Sequence, residues 1–575
     1  MSDKRWKALK IVLFVGTVLA ALKLVFVDFT LDEEYQIVMA YRYLQGDHLF
    51  KEMWEPHQTS AFVCAGLMWL FMTVTGSTTG IVLFLRFVAL GIQTVLGVAV
   101  YRTLSGPLNK NDAFLLALLY FNIMPKNIQS PDFGNMQLWF LTIPILLVMK
   151  YYCDKEQKGK DGWYLLLGAG VSLACEVLTY PTCIILFPFF IVYMWRKSGK
   201  QRLRDCLILT ATCGVCGIIW LVSVFAHVGL EEFAGNVGKL LSVDPTHDVS
   251  GMTSAKHSNY IENFQIWAVV FAGIAAVAGA IYGVIYFISK KKGKMIEKKS
   301  GWLMFWTLAI VVAELVQIYI WVVMHIGYEY LQVHLLVIYL ALAAVWRLAG
   351  DGKHIFAWGI LGTLVAYAGV MYISDLAMYY TLPHGSLGIV FAVAVIVLAM
   401  QKVMKDKARF WILLLVVSLC LVSIGGKGYT LRGGKSENTV LAVSGIMKKG
   451  PAAGILADYM CAYIYNRNYE EYADYVQEGD NVLIVANMIM SVGTIGYLFD
   501  DVNISHYSVV DPTTYNESLL EYWEQYPEKA PDVIVVDCWY GELKESPDSW
   551  IMQYIENDFG YTSVNDGSYV RFYRR

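Results

Sequence analysis

Thirteen long apolar stretches constrain this chain more than any other feature. They lie at about 8–27, 79–101, 112–125, 135–151, 162–178, 180–195, 205–227, 263–289, 301–324, 331–347, 354–374, 385–401 and 409–425. Crossing ~30 Å of hydrocarbon takes roughly 20 mainly apolar helical residues, fewer where neighbours cover the ends. Inside a bilayer only helices and closed barrels satisfy every backbone polar group. The composition agrees, with 57% hydrophobic and 16% charged residues, against about 25% charged in soluble domains. A polytopic α-helical membrane protein is expected.

A further apolar stretch, 59–76, decides the topology. If it does not span, the loops on one side hold 27 Lys/Arg, and those on the other hold only Arg42, Lys51, Lys126, Lys239 and Lys256. Lysine-rich loops mark the cytoplasmic side. Residues 59–76 are therefore expected to be a juxtamembrane or re-entrant helix on the outer face, within a first outer loop of 28–78. The N-terminus is then cytoplasmic. The basic start before the first apolar run also fits a signal peptide, but the polytopic remainder favours a retained helix.

The net charge of -3 hides an asymmetry. Residues 427–575 carry 22 Asp/Glu and 11 Lys/Arg, and the rest of the chain sums to +8. Two parts are expected, a membrane domain of 1–426 and an extracytoplasmic domain of 427–575. In the second, NVLIVA (481–486) and PDVIVVD (531–537) read as strands bounded by turn residues. NESLLEYWEQYPEKAP (516–531) reads as an amphipathic helix ended by Pro, and GSYVRFYRR at the C-terminus alternates like an edge strand. A small α/β unit follows, without a phosphate loop, nucleophile motif or metal spacing. Cys213 and Cys216 have CxxC spacing inside an apolar helix, where packing outweighs zinc binding. Cys461 and Cys538 both lie in the second domain, and the sequence does not pair them. The cell membrane of a bacterium is the expected location. The short lysine-rich inner loops contain no nucleotide-binding signature, and nucleic acid is not an expected partner.

Polar chemistry gathers in the outer loops. The first opens with Asp32-Glu33-Glu34, directly after the first helix. A carboxylate cluster held at a membrane surface suits a general base beside a substrate whose tail lies in lipid. It also suits a solvated loop that helps orient the helix, and both readings stay open on the residues alone. Asp132 follows Pro131 in the second outer loop and doubles as a helix N-cap candidate. Glu176 and Glu314 lie in apolar helices, where carboxylates are costly and are usually functional or paired. Gln317 is a candidate partner for Glu314.

The first loop resembles the GT-C superfamily of membrane glycosyltransferases. The dolichyl-phosphate-mannose protein mannosyltransferases (glycosyltransferase family 39) and their bacterial relatives fit its pattern best. That pattern is an acidic pair after the first transmembrane helix, an amphipathic stretch ending in a small-residue turn, and a His/Pro entry to the next apolar segment. Here it reads Asp32-Glu33, AYRYLQG (40–46) and EPHQTSAF (55–62), followed by Arg86 in LRFVALGIQTV and by Asp132. The resemblance covers roughly residues 8–200. One departure is Glu329 in YEYLQVHLL (328–336), where relatives often carry an Arg before a late helix.

The resemblance implies a GT-C-like fold of about 13 transmembrane helices with a small C-terminal extracytoplasmic α/β domain. It implies transfer of a sugar from a polyprenyl-phosphate donor to a glycan, lipid or protein acceptor of the cell envelope, with inversion. Asp32, Glu33 and Asp132 are the catalytic candidates, Asp32 as the base. His57, Gln58, Arg86, Lys126 and Glu176 are the substrate-binding candidates, with Arg86 and Lys126 meeting the leaving phosphate. A divalent metal is used by some relatives and not by others. Asp32 and Asp132 alone are a thin set for an ion that prefers six oxygens. The competing readings are a flippase, exporter or polymerase of lipid-linked glycans, and a non-catalytic envelope scaffold.

Overall fold

The computed structural model describes residues 3–29, 31–55, 57–123, 129–159, 161–242, 252–324, 332–373, 382–431, 439–485, 494–499, 501–508, 516–537, 553–555, 557, 562–563 and 570–575. Its helices in the membrane part are α1 (Asp3–Phe26), α2 (Leu31–Leu44), α3 (Ala61–Thr75), α4 (Ile81–Leu104), α5 (Lys110–Asn122), α6 (Phe133–Lys158), α7 (Tyr164–Thr179), α8 (Leu186–Lys197), α9 (Arg202–Phe225), α10 (Leu230–Ser242), α11 (Met252–Lys291), α12 (Lys298–Val322), α13 (Val333–Val345), α14 (His354–Ile373), α15 (Ser386–Met404) and α16 (Ala408–Tyr429). Each of the thirteen apolar stretches coincides with one of these helices. Among the described residues, nine helical segments are long and apolar enough to cross a membrane. One of them, Leu382–Tyr429, contains both α15 and α16, and α7 and α13 are shorter apolar helices. The protein is a multi-pass membrane protein.

Side chains sort the two faces of the bundle. On one face Asp112 joins Arg409 at 2.8 Å, and Arg204 joins Asp161 and Asp205. The opposite face carries the ends of α1, α7 and α9 and the C-terminal domain. A large apolar core runs through α4–α8 and α12–α16. By contrast α9 and α11 leave large apolar side chains on the surface, such as Val222 and Val269, as lipid-facing helices do.

The Gln58–Thr75 segment is among the nine by length and composition, yet both its ends sit on the domain-bearing face. At its start the Thr59 hydroxyl donates to the Leu178 carbonyl at the end of α7. At its end the chain turns through Gly76, whose φ of 67° favours glycine. The following turn donates from Thr78 Oγ1 to the Leu498 carbonyl and from Gly80 N to the Gly450 carbonyl. Both ends of helix α3 therefore meet the domain-bearing face.

The C-terminal domain holds the strands β1 (Val443–Ile446), β2 (Leu456–Asp458), β3 (Asn481–Val485), β4 (Asn503–Ile504), β5 (Val533–Asp537), β6 (Thr562–Ser563) and β7 (Val570–Arg574), with the helices α17 (Tyr459–Tyr475) and α18 (Asn516–Gln525). β1 and β2 form an antiparallel pair, and the other five strands form one sheet in the order β4-β3-β5-β7-β6. β3 pairs in parallel with β4 and β5, while β7 is antiparallel to β5 and β6. The C-terminal strand is therefore not an edge, as its alternation suggested. The two-residue β6 covers its outer side, and Val570, Phe572 and Tyr573 are all buried. The amphipathic helix stops at Gln525, before the Pro expected to end it.

One apolar core is shared between the two parts. It joins Ile37, Val38 and Tyr41 of α2 and Leu85 of α4 to Val482, Val533 and Phe572 of the sheet. Residues 33–42 of α2 are all buried, so this helix is a layer between the membrane bundle and the domain. A buried charge network adds to the joint. Arg42 donates to Asp47 (2.5 Å), Glu55 (3.2 Å), the Glu52 carbonyl and the Tyr522 hydroxyl (2.7 Å), and Lys529 pairs with Asp47. Helix α10 closes the side, where Asn236 donates to the Phe50 carbonyl at 2.8 Å and Lys239 lies 4.3 Å over the Trp54 ring.

Candidate functional site

The acidic cluster forms the first turn of α2, where the positive end of the helix dipole favours carboxylates. Successive helical residues point about 100° apart, so three neighbouring acids meet three environments. Glu33 is fully buried and grips Arg86 with both oxygens, at 2.8 Å to Nε and 2.5 Å to Nη2. Glu34 is buried and accepts from the Ile495 backbone N–H of the C-terminal domain at 2.5 Å. Asp32 is the only one of the three with partial exposure.

Arg86 is buried and fully engaged. Beyond Glu33, its Nη1 donates to the Val25 carbonyl at 3.0 Å, with the Leu24 and Val27 carbonyls at 3.5 Å, and its Nη2 donates to the Asp28 carbonyl at 2.7 Å. The last carbonyls of a helix lack intrahelical donors and attract cations. Arg86 caps α1 from α4 while holding the start of α2 through Glu33. Its N–H groups are engaged inside the chain, by Glu33 and by carbonyls at the end of α1. Both oxygens of Glu33 meet Arg86.

Asp132 is buried and N-caps α6, accepting from Asn135 N at 2.6 Å. The side chain of Asn135 in turn donates to the Ser130 carbonyl at 2.8 Å. The cap reading is thus realised. Both carboxylates lie close enough to Tyr180 for it to feel their charge.

Tyr180 ends α7 and is the hub of an aromatic wall. His57 stacks on Phe133 with ring centres 4.2 Å apart and an angle of 3°, and meets Tyr180 edge-on at 5.3 Å. Phe133 lies 5.8 Å from Tyr180, and His384 lies 5.4 Å from Tyr180 on another side. Gln58 is buried and accepts from Phe50 N at 2.7 Å. It therefore braces the loop that carries His57. Lys126 and Glu329 lie outside the described residues, as does Cys538.

Glu176, in the last turn of α7, is also fully buried. Cys183 and Gln137 of α6 are the side-chain partners at its carboxyl. Glu314 does not pair with Gln317: the Gln317 Nε2 has no hydrogen-bond partner, while its side-chain oxygen caps α13 by accepting from Val333 N at 2.9 Å. Among the described residues, no group of three or more His, Cys, Asp or Glu is placed to hold a metal ion.

Phe133, Gln137, Tyr180 and His384 were not singled out from the sequence. One signal was present. A Pro-His pair precedes an apolar helix twice, at 56–57 and at 383–384, and both histidines meet Tyr180.

A comparison with protein-family models matched nothing, and neither did one with curated proteins. Among solved structures, the chain matches the archaeal oligosaccharyltransferase AglB from Archaeoglobus fulgidus in complex with an inhibitory peptide and a dolichol-phosphate. The TM-score is 0.40 and the identity 10%, over 93% of this chain and 70% of that one. The apo form of the Archaeoglobus fulgidus oligosaccharyltransferase matches with the same score and coverage at 11% identity.

Proposed function

We propose that this protein is a membrane glycosyltransferase. It moves a sugar from a polyprenyl-phosphate donor to a nucleophilic acceptor of the cell envelope, at the face that carries the C-terminal domain. In the proposed topology the N-terminus is cytoplasmic and this face is extracytoplasmic. Asp32 is the base. It removes the acceptor O–H proton as that oxygen attacks the anomeric carbon, and the C–O bond to the phosphate breaks with inversion. The polyprenyl phosphate leaves with the bonding pair.

The observation that carries this reading is the division of labour in the acidic cluster. Glu33 and Glu34 are consumed in building the fold, while Asp32 keeps partial exposure and, like Asp132, acts by its charge on Tyr180. Asp132 orients the start of α6. Arg86 acts through Glu33 as a positioning residue. Lys126 and the imidazoles of His57 and His384 are the proposed groups for the departing phosphate. A divalent ion, where one is required, would have Asp32 and Asp132 as its first oxygen donors.

The test uses purified protein in lipid, with radiolabelled polyprenyl-phosphate sugars as donors and membrane extract as acceptor. Asp32→Asn should transfer about 10²- to 10⁴-fold more slowly than wild type, with unchanged folding. Equal rates would move the base elsewhere. No transfer by wild type from any donor would refute the enzymatic reading and favour transport or scaffolding.

A further inference from the structure

The C-terminal domain divides its charge by distance from the membrane bundle. Residues 427–467 carry 6 Lys/Arg and 2 Asp/Glu, whereas residues 468–575 carry 5 Lys/Arg and 20 Asp/Glu. The basic part is tied to the ends of three helices of the bundle. Asp28 N, two residues past the end of α1, donates to the Leu456 carbonyl of β2 at 2.7 Å. Thr430, the residue that ends α16, bridges to Thr439. Gly80 and Val82 at the start of α4 donate to the Gly450 and Pro451 carbonyls, in the turn between β1 and β2, at 3.0 and 3.2 Å.

Large apolar side chains stand exposed where these ties fix the height above the bundle. Leu441 lies two residues beyond Thr439 and is 81% exposed. Ile446 sits opposite Leu456 in the strand register and is exposed. Tyr459 opens α17 three residues after Leu456 and is 60% exposed, with Met460 and Tyr463 exposed on the same turn. The Tyr459 and Tyr463 rings stack at 6.0 Å. A chain reaches at most about 3.6 Å per residue, so Leu441 and Tyr459 lie within about 7 and 11 Å of residues bonded to the ends of α16 and α1. The headgroup layer of one leaflet is about 5–8 Å thick. Helices α1 and α16 turn Leu19, Leu22 and Leu421 outward, so lipid reaches this side of the bundle. Lys448, Lys449 and Arg467 are exposed on the same hairpin and helix. Arg467 pairs with Glu471 at 2.8 Å and Lys449 with Glu470 at 3.5 Å, while Lys448 has no carboxylate partner among the described residues.

Exposed aliphatic side chains beside tyrosines and lysines suit a surface that enters the headgroup layer. Basic residues there attract anionic lipid, and the same field holds carboxylates away. We propose that the β1–β2 hairpin and the first turns of α17 rest on the bilayer and bind anionic phospholipid headgroups. The contact adds a surface anchor to the spanning helices and keeps the acidic residues 468–575 turned toward water. It does not depend on the glycosyltransferase reading.

The experiment uses the full chain in nanodiscs of phosphatidylcholine, with or without phosphatidylglycerol. The photoreactive residue p-benzoylphenylalanine replaces Tyr459, Tyr463, Leu19 or Glu524, one at a time. Irradiation followed by intact mass spectrometry reads the phospholipid adduct. Leu19, exposed on α1, reports lipid contact in either disc, and Glu524, exposed on α18, reports background. The probes at Tyr459 and Tyr463 should give adducts well above that background in the anionic discs. Each lysine at an anionic surface is worth about a 5-fold factor in binding, so their yield should fall about 5-fold or more without phosphatidylglycerol. Lys448→Gln/Lys449→Gln should lower it as far in the anionic discs. Adducts from the Leu19 probe but from neither tyrosine position overturn the proposal, as do equal yields in the two lipids. A crosslinked dimer in place of the adduct also overturns it and assigns the surface to a second copy of the chain.

Discussion

Removing Arg86 should cost stability before it costs catalysis. Arg86→Met keeps the apolar stem and deletes the guanidinium. The fully buried Glu33 carboxylate then loses its ion-pair partner Arg86, and the Val25 and Asp28 carbonyls lose their donor. Stranding one member of a buried pair costs about 3–5 kcal/mol, whereas replacing both with apolar groups is often close to neutral. The double variant Arg86→Met/Glu33→Leu removes the stranded charge. It still leaves two carbonyls without a donor, at about 1 kcal/mol each. The single variant should therefore be less stable than the double, which is the sign of coupling a double-mutant cycle reads. Thermal unfolding in detergent, followed by tryptophan fluorescence, should show the single variant melting on the order of 5–10 °C below wild type, with the double variant between them. An Arg86→Met protein with the wild-type Tm and a donor KM raised about 10-fold or more would refute this reasoning. It would place the guanidinium on the substrate phosphate.

A pH effect and a packing effect follow from other parts of the fold. Burial pushes the Glu55 carboxyl up to about 7 against the pull of Arg42, whose charge Asp47 largely claims at 2.5 Å. A carboxyl with a raised folded pKa stabilises the fold at low pH and loses that contribution as pH rises through its folded value. Stability should therefore fall from about pH 5 to about pH 7.5. Glu55→Gln, which mimics the protonated acid, should remove most of that fall in thermal melts across the range, and a slope equal to wild type would count against it. In the membrane bundle, a β-carbon on Gly359 of α14 would enter the Phe391 ring of α15, 2.8 Å from its Cγ. Gly359→Ala should cost about 1–3 kcal/mol through overpacking, and a Tm at or above wild type would show that the two helices part without cost.

Much of the architecture was legible because it is written in local pattern. A bilayer demands runs of apolar residues, so every stretch read as a helix coincides with one. The strands at 481–485 and 533–537 announced themselves by β-branched runs between turn residues. The lysine bias argued that 59–76 stays on one face, and both ends of α3 meet the domain-bearing face. The acidic cluster and the loop around His57 were also visible as sites of interest.

What the chain alone could not say is who partners whom. Asp32, Glu33 and Glu34 look equivalent in a row, and only the direction each takes from α2 separates a candidate base from two building carboxylates. Arg86 read as a phosphate contact because its five donors look available until the end of α1 and Glu33 are brought to it. Alternation in the last strand reports two-sidedness but not the presence of β6 beside it. The charge step near residue 427 suggested two bodies, yet their surfaces are chemically matched at α2 and share one core. Glu176, Gln137 and His384 lie on α7, on α6 and just before α15, far apart in sequence. Their meeting is a product of helix packing, because apolar periodicity determines which residues are buried and only tertiary packing determines which of those meet.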